Sequence, residues 1–208
     1  MADQIVHLID DDDGVREALT LLLTESGFTV RSYKSGVDFL AAPRAQEPGC
    51  IVSDIRMPGL DGLELQSSLR AAGSNAPIIF ITGHGDVPMA VQALRAGALD
   101  FIEKPFDDDH LLASIKRALE ASLRISVKDA ARQDIEQRMA TLTPREQEVL
   151  ECLMAGRANK IIAFDLNISM RTVEVHRARI MQKMKAGSLS ELVRLVMSVK
   201  PEDDATPR

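Results

Sequence analysis

The 208 residues are 45% hydrophobic and 27% charged, with a formal net charge of −6, which predicts one large globular domain or two small ones. No stretch is apolar enough to span a membrane, and the opening residues lack the basic region of a signal peptide, so we expect a cytoplasmic protein with no membrane partner. Cys50 and Cys152 show no metal-ligand spacing, so we expect reduced, buried thiols.

Five short apolar runs bounded by turn residues predict five β-strands in the first part of the chain. They lie at Ile5–Ile9, Phe28–Tyr33, Cys50–Ser53, Ile78–Thr82 and Leu99–Glu103. Helical stretches alternate with these strands, and three of them have a start signal, at Ser35, Asp61 and Asp107. The alternation predicts an α/β fold, a doubly wound parallel (βα)5 sheet with its functional cleft beyond the carboxyl ends of the strands.

Polar residues stand at the carboxyl ends of four predicted strands. They are Asp10 and Asp11 after the first strand, Asp54 after the third, Thr82 at the end of the fourth and Lys104 after the fifth. Because clustered carboxylates repel one another, such a group is tolerable mainly when a hard cation such as Mg²⁺ shares their oxygens. With Mg²⁺ bound, Asp54 is a candidate nucleophile toward an activated phosphoryl group. Lys104 would neutralise the developing charge and Thr82 would hydrogen-bond the new phosphoryl oxygen.

Each of these residues also has a simpler explanation. The run of aspartates could be a solvated loop at a helix start, and Asp54 could end a strand before a turn. Thr82 could be structural, and Lys104 could be a surface lysine. Their joint occurrence at four strand ends favours a functional site.

Residues 1–124 resemble the receiver domain of two-component response regulators, which has a flavodoxin-like fold. The motifs VHLIDDDD, IVSDIRMPGLDG, ITGHGD and DFIEKPF stand in the family's order, and GHGDVPMAV at residues 83–91 resembles the FixJ subgroup. The resemblance implies that Asp54 is the phosphoacceptor. It also implies a Mg²⁺ site made by Asp10, Asp11, Asp54 and the backbone carbonyl of Arg56.

Three further roles follow from the same resemblance. Thr82 and Lys104 are implied to contact the phosphoryl group, and Pro105 is implied to follow a cis peptide. Phe101 matches the switch aromatic that turns inward with Thr82, and a plain core residue on the fifth strand is an equally open alternative.

A long helical stretch follows, in which apolar residues recur at every fourth position. They are Ile115, Leu119, Leu123, Val127, Ala131, Ile135 and Met139. The stretch predicts one long helix that includes a linker at residues 125–140. A four-residue spacing drifts around the helix faster than a heptad, so we expect packing or transient pairing and no stable coiled coil.

The rest of the chain predicts a small all-α, four-helix domain at residues 141–200, before a disordered tail at 201–208. Thr143 and Glu146 form a capping box with Pro144 at the first helical position, and this helix extends to about Ala155. NKIIAFDLNIS predicts a short helix and an apolar turn, Ser169 caps the next helix, and a second capping box starts the last helix at Ser188–Glu191. This is a helix-turn-helix pattern.

The third of these helices is amphipathic and basic. Its apolar face holds Val173, Ile180 and Met184, and its polar face bears Arg171, Glu174, Arg177 and Lys183. Residues 155–194 carry 8 Lys and Arg against 3 Asp and Glu, whereas residues 1–124 carry 11 against 19. We predict that this helix enters the major groove of double-stranded DNA, with an ordinary surface helix as the alternative.

Three motifs of this part, LTPREQEVL, NKIIAFDLNIS and RTVEVHR, resemble the LuxR/FixJ-type effector domain over residues 141–200. The whole chain thus resembles FixJ-type transcription regulators. The family's docking implies base-edge contacts by Glu174, Val175 and Ala178. It implies backbone contacts by Lys160, Arg171, Thr172, His176, Arg177, Arg179 and Lys183. Met170 stands where relatives often carry Pro, so we expect a slightly different entry into the helix.

The resemblance implies a population shift driven by a sensor histidine kinase, with no enzymatic activity beyond self-phosphotransfer and autodephosphorylation at Asp54. Phosphorylation would favour a homodimer through the fourth helix and fifth strand, with Val91, Arg95 and Asp100 as interface residues. The dimer would bind promoter DNA and act with RNA polymerase, as an activator of oxygen-responsive or nitrogen-fixation genes by resemblance to FixJ.

Two other classes of function compete with this hypothesis. A Mg²⁺-dependent phosphatase would use similar chemistry, but such enzymes usually place a second acid two residues after the nucleophile, where this chain has Arg56. A constitutive DNA-binding factor with the receiver as a dimerisation scaffold stays open. Nucleotide binding is unsupported, because the chain has neither GxGxxG nor a GK[ST]-ended glycine loop.

Overall fold

The computed structural model describes residues 5–43, 47–83 and 87–199. The chain divides into two compact units, Met1–Val127 and Lys128–Arg208. Each unit has its own hydrophobic core, so each is described by itself.

The first unit is built on a parallel sheet of five strands in the order β2-β1-β3-β4-β5. The strands are β1 (Ile5–Ile9), β2 (Thr29–Tyr33), β3 (Gly49–Asp54), β4 (Ile78–Thr82) and β5 (Asp100–Glu103). β1, β3 and β4 are buried along their whole length, as expected of central strands covered on both faces. The predicted doubly wound sheet is confirmed, and each predicted strand end lies within one residue of its observed position.

Five helices accompany the sheet. They are α1 (Asp13–Glu25), α2 (Gly36–Ala41), α3 (Gly62–Ala71), α4 (Val87–Arg95) and α5 (Asp108–Ala140). The predicted caps form: the Ser35 hydroxyl accepts from the Asp38 N–H, and Asp61 and Glu64 complete a reciprocal capping box. These caps set where the chain turns from a strand end into a helix.

Two apolar layers hold the helices to the sheet. On one face α1 and α5 bury Leu19, Leu23 and Ile115 against strand residues such as Ile79. On the other face α2, α3 and α4 bury Phe39, Leu65 and Ala93, each with no exposed surface. Burial on both faces stabilises the sheet and leaves the carboxyl ends of its strands for polar groups.

The second unit consists of the end of α5 and four shorter helices. These are α6 (Pro144–Met154), α7 (Asn159–Asp165), α8 (Met170–Met184) and α9 (Leu189–Val199). Val173, Ile180 and Met184 are completely buried, which confirms the predicted apolar face of α8. Asn167, with a φ of 51°, lies in the turn between α7 and α8, where Asn tolerates the left-handed region.

The predicted long helix is a single helix, α5. Its apolar residues belong to two cores: Ile115 packs in the first unit, and Ile135 and Met139 pack in the second. Between them Leu123 and Val127 are 55% and 62% exposed. The residues predicted as a linker therefore include a segment that is built into the second core.

The two predicted capping boxes of the second unit differ. Thr143 and Glu146 satisfy each other's backbone N–H, as predicted. The Ser188 hydroxyl accepts from the Glu191 N–H, but the Glu191 carboxylate accepts from Gly187 instead of Ser188. The second predicted capping box is therefore wrong in one of its two hydrogen bonds. The Glu191 carboxylate accepts from the N–H of Gly187, one residue before the expected Ser188.

The predicted cis peptide is present between Lys104 and Pro105. Residues 84–86 of the motif at 83–91 and the predicted disordered tail lie outside the described residues. Within the described part of the chain, no helix is both long enough and apolar enough to cross a membrane.

Candidate functional site

Two buried aspartates and one lysine meet at the carboxyl edge of the sheet. Asp10 follows β1 and is 1% exposed, and Asp54 ends β3 and is 8% exposed. The Lys104 Nζ lies 2.9 Å from Asp10 Oδ2 and 3.7 Å from Asp54 Oδ1. The ammonium therefore sits between two carboxylates that would otherwise repel each other.

Burial raises the pKa of the Asp54 carboxyl above its ordinary value. The nearby Lys104 charge opposes that rise, and the charges of Asp10 and Asp11 add to it. The carboxyl thus combines a partly desolvated oxygen with a cation close by, which is an arrangement suited to a nucleophile.

Hydrogen bonds between side chains and backbone groups fix the position of both aspartates. Asp10 Oδ1 accepts the Asp12 N–H at 3.0 Å, and the Arg16 guanidinium donates to the Asp10 carbonyl at 2.8 Å. The Ser53 hydroxyl donates to the Asp54 carbonyl at 2.8 Å. Sequence reasoning missed Arg16 and Ser53, since neither type stands out in a motif.

Gly62 is a further residue that supports the site. A Cβ at this position would lie 2.9 Å from the Asp54 carbonyl oxygen and 2.8 Å from the Phe80 ring. The first turn of α3 thus packs directly on the backbone that carries Asp54. The DG pair of the quoted motif, with Asp61 as a cap, is the sequence signal that could have indicated this close approach.

The other predicted receiver residues are distributed around this pair. Thr82 is buried at the end of β4, and its carbonyl accepts the Lys104 N–H at 2.7 Å. Phe101 is half-buried on β5 and packs against the apolar layer that includes Phe80. Asp11 and Arg56 are exposed and line an open groove of about 430 Å³ beside Met57 and Met89.

The donors at this edge fit a hard cation in kind. Asp10, Asp11 and Asp54 offer carboxylate oxygens, which Mg²⁺ prefers over nitrogen or sulfur ligands. No three His, Cys, Asp or Glu side chains among the described residues are yet close enough together to hold a metal ion. The Lys104 ammonium lies within 4 Å of carboxylate oxygens of both Asp10 and Asp54.

The predicted dimer residues lie on α4 and β5. Val91 is 41% exposed and Arg95 is exposed, beside the exposed apolar residues Val87 and Leu94. Asp100 instead has partners within its own chain. These are Arg117 at 2.8 Å, Ser114, and the His110 ring at 4.0 Å.

The exposed face of α8 carries five of the predicted DNA-contacting residues. They are Arg171, Glu174, Val175, Ala178 and Arg179, and Lys160 is exposed on α7. Most of them follow the i, i+3, i+4, i+7 spacing opposite the buried Val173 and Ile180. An amphipathic helix with this face open is suited to a groove.

The remaining predicted contacts are half-buried. Thr172 and His176 lie at the edge of the α8 face. The Arg177 guanidinium donates to Asn159 at 2.5 Å. The Lys183 ammonium donates to the Glu146 carboxylate at 2.6 Å and to the Thr141 carbonyl at 2.9 Å. Lys183 thus has partners within its own unit, and its predicted contact with the DNA backbone stays a prediction.

Comparison with known proteins decides the family. A model of the response regulator receiver domain matches residues 6–116, and a model of bacterial regulatory proteins of the luxR family matches residues 140–196. The transcriptional regulatory protein FixJ of Azorhizobium caulinodans is 52% identical over 204 residues, which cover 97% of each chain. The tetrathionate response regulatory protein TtrR of Salmonella typhimurium is 44% identical and covers 91% of this chain and 90% of its own.

The solved structure of the response regulator StyR superimposes with a TM-score of 0.81 at 43% identity, over 94% of this chain and 99% of that chain. The chain is a response regulator of the luxR family.

As a response regulator, the protein is a phosphorylation-dependent, DNA-binding transcriptional regulator of a two-component system. The match to the receiver domain falls on the unit that carries Asp10, Asp54 and Lys104. The match to the luxR family falls on the helices that include α8. The family is one of transcription regulators, which decides against the phosphatase alternative.

Proposed function

We propose that Asp54 accepts a phosphoryl group from a cognate sensor histidine kinase and that this modification increases dimerisation and promoter binding. The observation that carries the proposal is the buried Asp54 carboxyl, 3.7 Å from the Lys104 ammonium at the carboxyl edge of the sheet. This places an accessible charge partner beside a candidate nucleophile.

In the transfer, an Asp54 carboxylate oxygen forms a bond to phosphorus as the bond from phosphorus to the kinase's histidine nitrogen breaks. The imidazole leaves and takes a proton from solvent. Lys104 then turns from its two carboxylates toward the new phosphoryl oxygens, and the Thr82 hydroxyl donates to one of them. Hydrolysis of the acyl phosphate by water restores Asp54 and releases inorganic phosphate.

Asp10, Asp11, Asp54 and the Arg56 carbonyl are the groups that would hold Mg²⁺. When bound, the ion supplies neutralisation of the charge on the transferring phosphoryl group. Asp11 and Arg56 are exposed beside the buried pair, so these residues have room to approach it.

The proposed response is a shift toward a state in which Thr82 and Phe101 are drawn in. Phe101 is half-buried on the strand that leads to Lys104, so an inward turn would alter the surface of β5 and α4. Val91 and Arg95 on that surface are proposed to meet a second copy of the chain. Asp100 joins them only after it leaves Arg117, its partner within the chain.

For the DNA-binding unit, we propose that Glu174, Val175 and Ala178 meet base edges in the major groove. Phosphate contacts are assigned to the exposed cations Arg171, Arg179 and Lys160, with Thr172, His176 and Arg177 at the edges of the face. Lys183 is left out of this set because Glu146 and Thr141 already hold its ammonium. Dimerisation would present two such helices to two half-sites.

The proposed biological role is activation of transcription with RNA polymerase in the cytoplasm. Similarity to FixJ favours oxygen-responsive or nitrogen-fixation genes. TtrR, whose name refers to tetrathionate, is also similar over most of the chain.

Sedimentation of the full chain with Mg²⁺ and beryllofluoride tests the proposal, with Asp54→Asn as the matched variant. We expect the wild type to shift from monomer to dimer, and Asp54→Asn to sediment identically with and without beryllofluoride. No shift in the wild type would favour the alternative in which the receiver is a scaffold for constitutive DNA binding.

A further inference from the structure

The last turns of α5 are part of the DNA-binding unit. Ile135 is 8% exposed and Met139 is partly buried, and both pack into the core that contains Val173, Ile180 and Met184 of α8. This apolar contact brings the polar residues of the same turns next to the C-terminal end of the proposed recognition helix.

Two hydrogen bonds cross between these segments in opposite directions. The Arg138 guanidinium of α5 donates to the Met184 carbonyl at the end of α8, at 3.2 Å. The Lys183 ammonium of α8 donates back to the Thr141 carbonyl, which follows α5, at 2.9 Å. A reciprocal pair of this kind restricts sliding and rotation of one helix end against the other.

The chemistry of the helix end favours the Arg138 contact. The last four carbonyls of an α-helix lack partners within the helix, and the C-terminal end attracts cations. The Met184 carbonyl is one of these groups, and Lys185 with a φ of 52° turns the chain away immediately after it. Asp134 pairs with Arg138 from one turn earlier on α5 and so orients its guanidinium toward α8.

The Lys183 contact is supported from a third helix. Its ammonium lies 2.6 Å from Glu146, a carboxylate in the first turn of α6 that is 2% exposed. The same carboxylate accepts the Thr143 N–H at 2.9 Å. The end of α8 is thus connected to both α5 and α6 by buried or half-buried polar groups.

We infer that Arg138 and Lys183 are positioning residues, which set the angle of α8 in the major groove without touching DNA themselves. The inference rests on the proposed role of α8 as the recognition helix. A small rotation of α8 would displace its base-reading face while leaving its general positive charge unchanged, so these residues act on sequence discrimination.

The test measures DNA binding by the full chain in Mg²⁺ and beryllofluoride. One probe is a duplex that wild-type protein selects from a random-sequence pool, and the other is a shuffled duplex of equal length and composition. The affinity ratio between the two probes reports discrimination, and the salt dependence of binding reports the number of phosphate contacts. Hydrogen exchange of α8 amides checks that each variant is folded.

For Arg138→Met we expect the affinity ratio to fall about tenfold, which is the loss of roughly one base-reading contact, with an unchanged salt slope. Arg138→Lys keeps a cation at the helix end and is expected to recover part of the ratio. Arg132→Met is the matched control, since Arg132 lies on the same helix and contacts the Val199 carbonyl of α9 at 3.4 Å instead of α8. We expect it to leave the ratio unchanged.

An unchanged ratio in Arg138→Met would overturn the inference, and so would equal weakening on both probes with a smaller salt slope, which identifies a direct phosphate contact. If Arg138→Met does not fold, Arg138→Gln decides, because it removes the cation from the helix end, and a ratio equal to that of the wild type contradicts the positioning role. If the pool yields no enriched sequence, the proposed function of α8 fails and the inference fails with it.

Discussion

Lys104 supplies positive charge between two buried carboxylates, and the proposed chemistry needs that charge beside the phosphoryl oxygens. Its ammonium now contacts Asp10 and lies 3.7 Å from Asp54, so it is available for oxygens that develop negative charge during transfer. Lys104→Met is expected to slow phosphorylation by acetyl phosphate about 100-fold, which is typical of losing one preorganised donor. Phosphate-affinity electrophoresis measures this rate.

The control for Lys104 is Lys116→Met, which removes a cation of the same size from an exposed position on α5. It should phosphorylate at the wild-type rate. Equal rates in both variants would show that Lys104 has no part in the transfer.

His7 makes the stability of the receiver depend on pH. The ring is 2% exposed, lies 5.5 Å from the Phe39 ring, and its burial lowers the pKa of the imidazole below 6.5. When the pH falls below 6.5, the unfolded chain binds a proton that the folded chain resists, so the free energy of unfolding decreases. The added loss is at most about 1.4 kcal/mol per pH unit for one proton.

Replacement of His7 tests whether this imidazole causes the pH dependence of receiver stability. His7→Gln should lose less stability than the wild type between pH 7.5 and pH 5.5. Tyr33, the single tyrosine of a chain without tryptophan, has its ring 6.1 Å from His7 and reports receiver unfolding by fluorescence in denaturant. Parallel pH profiles in the two proteins would rule out His7 as the source.

The starts of α6 and α9 differ in how completely their backbone N–H groups are satisfied. Thr143 and Glu146 form a complete reciprocal box, whereas the Glu191 carboxylate reaches past Ser188 to Gly187. Thr143→Ala should destabilise α6 by about 1 kcal/mol, since it leaves the Glu146 N–H without its acceptor.

Hydrogen exchange of the full chain measures this effect helix by helix. Amides in the first turn of α6 should exchange faster in Thr143→Ala, while those of α9 keep their wild-type rates. Ser188→Ala should produce the opposite pattern. Uniform acceleration across all helices of the unit would mean that the cap has no local effect.

Across the whole molecule, the sequence could predict features that depend on neighbouring residues. Strands and helix starts follow from alternation and cap residues, which act over a few positions, so β1 and β4 match their predicted bounds. The proposed phosphorylation site could also be predicted, because parallel strands bring their carboxyl ends to one edge. Contacts between residues far apart in sequence could not be predicted. The hydrogen bond from the Arg138 guanidinium to the Met184 carbonyl joins residues 46 positions apart and leaves no local pattern.

Distance along the sequence also explains why two predicted residues, Lys183 and Asp100, have partners within the chain that the sequence did not predict. Lys183 has the type and spacing of a DNA-contacting lysine, and only the folded unit brings the Glu146 carboxylate to 2.6 Å from it. Asp100 was predicted from its position on β5 to pair across a dimer, but α5 places Arg117 2.8 Å away in the same chain. Charge and periodicity identify a surface, and packing decides which of its charges are already paired.

Phosphorylation of Asp54 should control how tightly the whole molecule binds DNA. The most direct measurement is the affinity of full-length wild type and Asp54→Asn for the selected duplex, at one fixed salt concentration, with and without beryllofluoride. We predict at least about a tenfold gain for the wild type, the size of a typical coupling between two sites, and no gain for Asp54→Asn. Equal wild-type affinities in the two conditions would contradict control of DNA binding by Asp54.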